Sequence, residues 1–151
     1  MNATTGPNAA KVSGMGEREP AIRVTLLPRD TNPHGTIFGG VILAYIDQAG
    51  AVVAHQHGAA RVVTVAMDKV VFHAPVYVGD LVSFYGELVR IGRTSITVKV
   101  TVEAAPLGAP GEGRRVTEAV ITYVNVDRYG VPTPIPRVTG DSPPPETRET
   151  S

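Results

Sequence analysis

The chain has 151 residues, no cysteine and equal numbers of acidic and basic side chains. That length suits one domain whose core can fold without staples, and the charge balance offers nucleic acid or an anionic membrane no electrostatic handle. The missing thiols exclude disulfides, thiolate zinc sites and a cysteine nucleophile, and they fit a reducing, cytoplasmic compartment.

Residues 1–19 are small, polar and glycine-bearing, and a disordered tail is expected there. They show no basic segment leading into an apolar run, so no signal peptide is expected. No apolar stretch reaches the roughly 18 to 20 residues that a membrane span needs. Ala21 to Leu27 reads as a short strand, and Pro28 to Gly39 as a loop holding the segment TNPHGTIFGG, residues 31–40. Val41 to His57 is apolar and helix-compatible, interrupted only by Gly50, and Gly58 follows as a C′ residue would. Four β-like runs come next: Val62 to His73, Leu81 to Ile91, Thr94 to Ala104 and Val116 to Val126. The third alternates strictly, with Ile96, Val98, Val100 and Val102 set against Ser95, Thr97, Lys99 and Thr101. The Gly92-Arg93 turn makes the second and third runs a hairpin. The longer segment PLGAPGEGR, residues 106–114, connects the third to the fourth. From Val131 the chain is proline-rich and reads as a tail, although VPTPIP (residues 131–136) could lie along a sheet edge. One apolar helix among about five antiparallel strands predicts an α+β fold, with the sheet curled around the helix.

That helix carries one group charged at neutral pH. Within VILAYIDQAGAVVA (residues 41–54), Asp47 stands among apolar neighbours. A carboxylate there is costly unless it is bonded, paired or solvated in a cleft. Asp47 is therefore a candidate general base or nucleophile. The alternatives are a thin exposed strip with Gln48, or an ion pair with a distant lysine or arginine. Gly39 and Gly40, at the helix start, present N–H groups suited to a developing oxyanion and allow a carbonyl to approach closely. A plain helix start would also use them. His55 and His57 look like a metal pair on paper, but side chains at i and i+2 of a helix do not converge.

Taken together, TN-x-x-G-x-I-F-G-G (residues 31–40), Asp47 seven positions later and the run from Arg61 to Val100 resemble the hot-dog-fold acyl-CoA thioesterases. The nearest likeness is to the YciA-like branch and the brain-type acyl-CoA hydrolases, and it spans residues 20–136, leaving 137–151 as a proline-rich disordered tail. The resemblance implies a hot-dog fold: a long central helix wrapped by a curled antiparallel sheet. It also implies hydrolysis of acyl-CoA by a catalytic pair, Asp47 and Asn32, contributed by opposite subunits of a dimer, with the protein active as that dimer or as a trimer of dimers. Gly39 and Gly40 would polarise the thioester carbonyl. The turn Gly92, Arg93, Thr94, Ser95 matches the segment that contacts the pantetheine and phosphates of CoA, a task suited to a guanidinium beside hydroxyls. Phe72 would line the acyl pocket. Pro33 and His34 depart from the small or polar residues expected there; His34 could tune the acid or contact substrate, or be a solvated loop histidine. CoA belongs to the substrate, and the chemistry calls for no metal or other cofactor.

Two other activities share that fold. Asp30-Thr31-Asn32-Pro33-His34 is similar to the D-x-N-P-x-H motif of (R)-specific enoyl-CoA hydratases, but lacks one residue between proline and histidine. A non-catalytic acyl-CoA sensor would carry an added DNA-binding segment, and these ends are too short and too little basic to supply one.

Overall fold

The computed structural model describes residues 18–136. The tails assigned to 1–19 and 137–151 thus lie outside the described residues, apart from Arg18 and Glu19. In chain order the elements are β1 (Ile22–Thr25), α1 (Gly39–Gln56), β2 (Val62–Phe72), β3 (Asp80–Ile91), β4 (Ser95–Pro106) and β5 (Arg114–Asn125). Short 3-10 turns at Pro28–Asp30 and Pro110–Glu112 lie in the connections. The five strands form one antiparallel sheet in the order β1-β3-β4-β5-β2, with α1 against one face.

The packing follows from the two periods in the sequence. On α1, Ile42, Ile46, Ala49 and Val53 recur at helical spacing and are buried against the sheet. On β4, Ile96, Val98, Val100 and Val102 are fully buried while their alternate neighbours are half-buried, as strict alternation predicts. Each such Val or Ile contributes about 1.5–3 kcal/mol on burial. Arg93 and Thr94 form the two-residue loop between β3 and β4, closed by a 2.8 Å bond from Gly92 N–H to the Ser95 carbonyl. At the end of α1, Gly58 adopts φ +99° and the His55 Nδ1 meets the Ala59 carbonyl at 2.7 Å. His55 therefore serves the helix end.

β2 is the exception to this order. Among the described residues it pairs only with β5, and its register shifts twice, between Thr64 and Ala66 and between Asp68 and Val71. Lys69, inside the second shift, has φ +54°. Val63, Val65, Val71 and Phe72 remain 41–55% exposed along this strand. A long edge strand that shows both backbone groups and apolar side chains is a surface awaiting a neighbour.

Residues 131–136 take the sheet-edge course that the sequence left open. They dock across the end of β5: Thr133 N–H donates to the Asn125 carbonyl (2.9 Å), Ile135 N–H donates to the Arg93 carbonyl (2.9 Å), and Ile135 is buried. The buried Asn125 amide makes this possible. Its Oδ1 accepts from the N–H groups of Ala60 (3.1 Å) and Arg61 (3.3 Å), and its Nδ2 donates to the carbonyls of Thr133 (3.2 Å) and Pro134 (3.3 Å). Asn125→Ala is expected to lower the unfolding free energy by about 2–3 kcal/mol, because four part-buried hydrogen bonds, each worth about 0.5–1.5 kcal/mol, are lost together. A urea midpoint unchanged by the substitution would show that this strap contributes nothing.

Candidate active site

Asp47 sits two turns into α1, half-buried. Its partner is neither lysine nor arginine. The Thr64 hydroxyl, at the start of β2, donates a 2.6 Å hydrogen bond to Asp47 Oδ1. Beneath it, the hydroxyl of Tyr123 on β5 donates to the Asp47 backbone carbonyl at 2.6 Å. Tyr123 is 1% exposed. Burial first, and the nearby Asp47 carboxylate second, keep its phenol protonated well above the ordinary tyrosine range. This arrangement depends on Gly50: a Cβ there would overlap the Tyr123 hydroxyl and stand 2.9 Å from its Cζ. The glycine that interrupts the helix is the gap through which Tyr123 reaches the turn bearing the acid.

The loop before α1 is tied to itself and to the segment ahead of β3. Phe38 N–H donates to the Asp30 carbonyl and Ile37 N–H to the Val76 carbonyl, both at 2.8 Å. Asn32 organises the turn. Its Oδ1 accepts from the N–H groups of His34 (2.9 Å) and Thr36 (3.2 Å), and its Nδ2 donates to Thr36 Oγ1 (2.7 Å). One N–H of the amide is left over. Within a single chain no hydrogen bond joins Asn32 to Asp47. His34 is exposed, and Asp30 Oδ2 is occupied by the Leu27 N–H (2.9 Å), with no hydrogen bond joining the two side chains.

The N–H groups of Gly39 and Gly40 open α1, after Phe38, which gives no side-chain cap. Helix geometry leaves them without intrahelical partners. Beside them lies a cleft of about 370 Å³, walled by Ile37, Gly39, Ile42, Phe72 and Val76, with Thr117 on the β5 side. The Phe72 ring is 3.5 Å from where a Cβ on Gly39 would stand, an ordinary contact distance, so the ring flanks the first residue of the helix. Arg114 holds the far wall by donating to Asp80 Oδ2 (2.6 Å) and the Pro75 carbonyl (2.9 Å). His73 also borders the cleft, and its Nε2 lies 3.6 Å from Glu118 Oε1.

The structure thus brings Gly39 and Phe72 together, with Gly40 next along the helix against Phe38, and sets the other expected residues apart. Asp47 is eight residues beyond Gly39, about 12 Å along the helix. Arg93, Thr94 and Ser95 lie at the opposite end of the sheet, where Asn125 N–H bonds the Thr94 carbonyl and Asn125 pairs with Val62 at the start of β2. The 11 residues of β2 therefore separate this turn from the glycine pair, a span on the order of 30 Å. Thr64 is the residue that sequence reasoning missed. It is an exposed threonine in a strand, unremarked until pairing of β2 with β5 places it over α1. Among the described residues there is no cluster of three or more metal-ligating side chains, and no helix is long and apolar enough to cross a membrane.

The sequence pattern of the thioesterase superfamily matches residues 34–109. An uncharacterized acyl-CoA thioester hydrolase of Zymomonas mobilis is 48% identical over 97 residues, which is 64% of either chain, so this chain spans just under two thirds of that relative. The acyl-CoA thioester hydrolase YciA of Salmonella typhimurium is 39% identical over 120 residues, 78% of this chain and 90% of the relative. Among solved structures, Cj0915, a hexameric hotdog fold thioesterase of Campylobacter jejuni, superposes with a TM-score of 0.73 at 48% identity, covering 78% of this chain and 90% of its own. One helix laid on a five-stranded antiparallel sheet, the matched pattern and these relatives agree: the chain belongs to the thioesterase superfamily and has the hot-dog fold.

Proposed function

We propose that this protein hydrolyses acyl-CoA thioesters, at sites each built from two copies of the chain by one catalytic domain spanning residues 20–136. The observation that carries this reading is the open β2 edge, with Asp47 and Thr64 at one end and Gly39 beside Phe72 at the other. Closed oligomers favour two-fold interfaces, in which one patch meets itself. If β2 pairs with its own copy about an axis near Asp68, midway between Thr64 and Phe72, the ends exchange neighbours. The Asp47 end of one chain then faces the glycine pair and Asn32 loop of the other. The same operation carries Arg93, Thr94 and Ser95 of the first chain towards the cleft of the second, on the line a long CoA moiety would follow. The valines and Phe72 along this edge would be covered. A trimer of such dimers accords with the hexameric state of Cj0915.

The chemistry then divides between the chains. With Thr64 bonded to Oδ1, Asp47 keeps Oδ2 to take a proton from water, or to attack the carbonyl itself and form an anhydride that water later opens. As the carbonyl carbon becomes tetrahedral, its oxygen gains charge in front of the Gly39 and Gly40 N–H groups. One such donor is worth about 10²–10³-fold in rate. The spare N–H of Asn32 orients the water or the thioester oxygen. On the base route, collapse breaks the C–S bond, the CoA thiolate takes the proton held by Asp47 and the free acid leaves. On the nucleophile route, collapse expels the thiolate and leaves the anhydride. The water that opens it yields the free acid, restores the Asp47 carboxylate and supplies the thiolate's proton. Arg93, with Thr94 and Ser95, binds phosphate and pantetheine oxygens; Phe72 walls the acyl group and His34 lies at the rim. CoA is part of the substrate, and the steps require no metal, nucleic acid or membrane, in keeping with a cytoplasmic enzyme.

The test follows free thiol over an acetyl- to palmitoyl-CoA series, with crotonyl-CoA run alongside. Thiol release without loss of enoyl absorbance is expected. Loss of enoyl absorbance without thiol would establish a hydratase, and tight binding with neither signal would establish a sensor.

A further inference from the structure

Thr117 is out of place among its neighbours. It lies on the inward face of β5, in line with Ala119 and Ile121, where the facing positions on β4 are valines. It is 1% exposed, and its Oγ1 has no hydrogen-bond partner among the described residues. The outward threonines of this sheet behave differently: Thr97 and Thr122 meet hydroxyl to hydroxyl at 3.3 Å. A valine would fill the Thr117 site with the same volume, whereas a buried hydroxyl without a partner is a net cost to folding. Such an atom calls for an explanation, and its location supplies one.

Thr117 borders the cleft that opens at Gly39, and it pairs in register with Phe72, whose ring flanks that glycine. It therefore stands one strand further in than Phe72, about 4.8 Å. Apart from His73, which is turned to Glu118, the remaining walls (Ile37, Ile42, Phe72, Val76) are apolar. A plain acyl chain would leave the hydroxyl orphaned. An oxygen atom a few bonds beyond the thioester carbonyl would offer it a partner once a turn about χ1 brings the buried hydroxyl to the cleft. We propose that Thr117 is a specificity-determining residue that hydrogen-bonds an oxygen substituent near the thioester, so that short 3-hydroxyacyl or 3-oxoacyl groups are favoured over unsubstituted ones. The inference rests on the acyl-CoA thioesterase reading and names the class of acyl group within it.

The experiment compares kcat/KM on butyryl-CoA, 3-hydroxybutyryl-CoA and acetoacetyl-CoA for the wild type, Thr117→Val and Thr117→Ser. Binding of the matching thioether analogues, which cannot be hydrolysed, is measured by calorimetry. The wild type is expected to favour at least one oxygenated substrate by about fivefold or more, the scale of one hydrogen bond. Thr117→Val should erase that preference while melting at a higher temperature, because it removes the orphaned hydroxyl. Thr117→Ser should retain the preference. A wild type that prefers butyryl-CoA, or a Thr117→Val variant that lowers all three substrates equally, would overturn the proposal. Absence of thiol release from every substrate would instead sink the thioesterase reading. The thioether affinities would then still decide Thr117, with equal binding of plain and oxygenated analogues counting against it.

Discussion

Asp47→Asn is expected to lower kcat on acyl-CoA by about 10²–10⁴-fold, the range in which a positioned carboxylate contributes as base or nucleophile. The substitution keeps the shape of the side chain, so the Thr64 hydroxyl retains an oxygen to bond, and the Tyr123 contact, made to the backbone carbonyl, is untouched. Folding should be nearly unchanged, because Asp47 is half-buried and enters no ion pair among the described residues. KM should change little, since the proposed CoA contacts come from Arg93 and its neighbours. The loss would then fall on kcat, the signature of an interaction made in the transition state. An Asp47→Asn chain that turns over at near wild-type rate would show that this carboxylate takes no part in the chemistry.

The second large effect is expected from a methyl group. Gly50→Ala should destabilise the fold by about 1–3 kcal/mol, the usual cost of overpacking. The added Cβ would overlap the Tyr123 hydroxyl and approach its Cζ to 2.9 Å and Cε2 to 3.0 Å. Alanine's better helix propensity, worth up to about 1 kcal/mol, offsets only part of that. Tyr123 must then withdraw or α1 must lift, and either movement acts on the turn that carries Asp47. A displacement of about 1 Å can cost 10²-fold in rate, so activity should fall further than stability alone explains. Adding Tyr123→Phe removes the most crowded atom and should return part of both losses. A Gly50→Ala chain as stable and as active as the wild type would contradict this account of the helix.

Periodicity made most of the fold legible. The helix, the β3–β4 hairpin and the alternation of β4 all follow from spacings of apolar residues, and each lies within two residues of where the sequence places it. What stayed hidden depends on contacts between distant segments. β5 starts at Arg114, before its apolar run, because its backbone continues the ladder to Ala104 of β4, while the arginine side chain pairs with Asp80. For residues 131–136 the sequence left both a tail and a sheet-edge strap open, because prolines cannot join a ladder; a strap needs only a few donors, and Asn125 supplies its anchor from β5. The bulges in β2 carry no glycine or proline signal, since Lys69 adopts the left-handed backbone there. At the site, Asp47 stood out as a charge among apolar neighbours, but its partner Thr64 is an ordinary strand residue until strand pairing sets it over the helix. The Asn32 amide illustrates the opposite case: a polar residue in a loop was easy to mark, whereas its bonds to His34 and Thr36 depend on how the turn folds.

The central claim is that Asp47 and Asn32 act on one substrate from different chains. Mixing subunits tests it most directly. Asp47→Ala and Asn32→Ala homo-oligomers should each be nearly inactive in thiol release. Unfolded together and refolded in equal amounts, half of the randomly formed two-fold pairs are hybrids, and each hybrid carries one intact site. Roughly a quarter of wild-type activity should therefore return, as isologous pairing requires. A mixture no more active than its two components would place both residues of each site in the same chain and contradict the account.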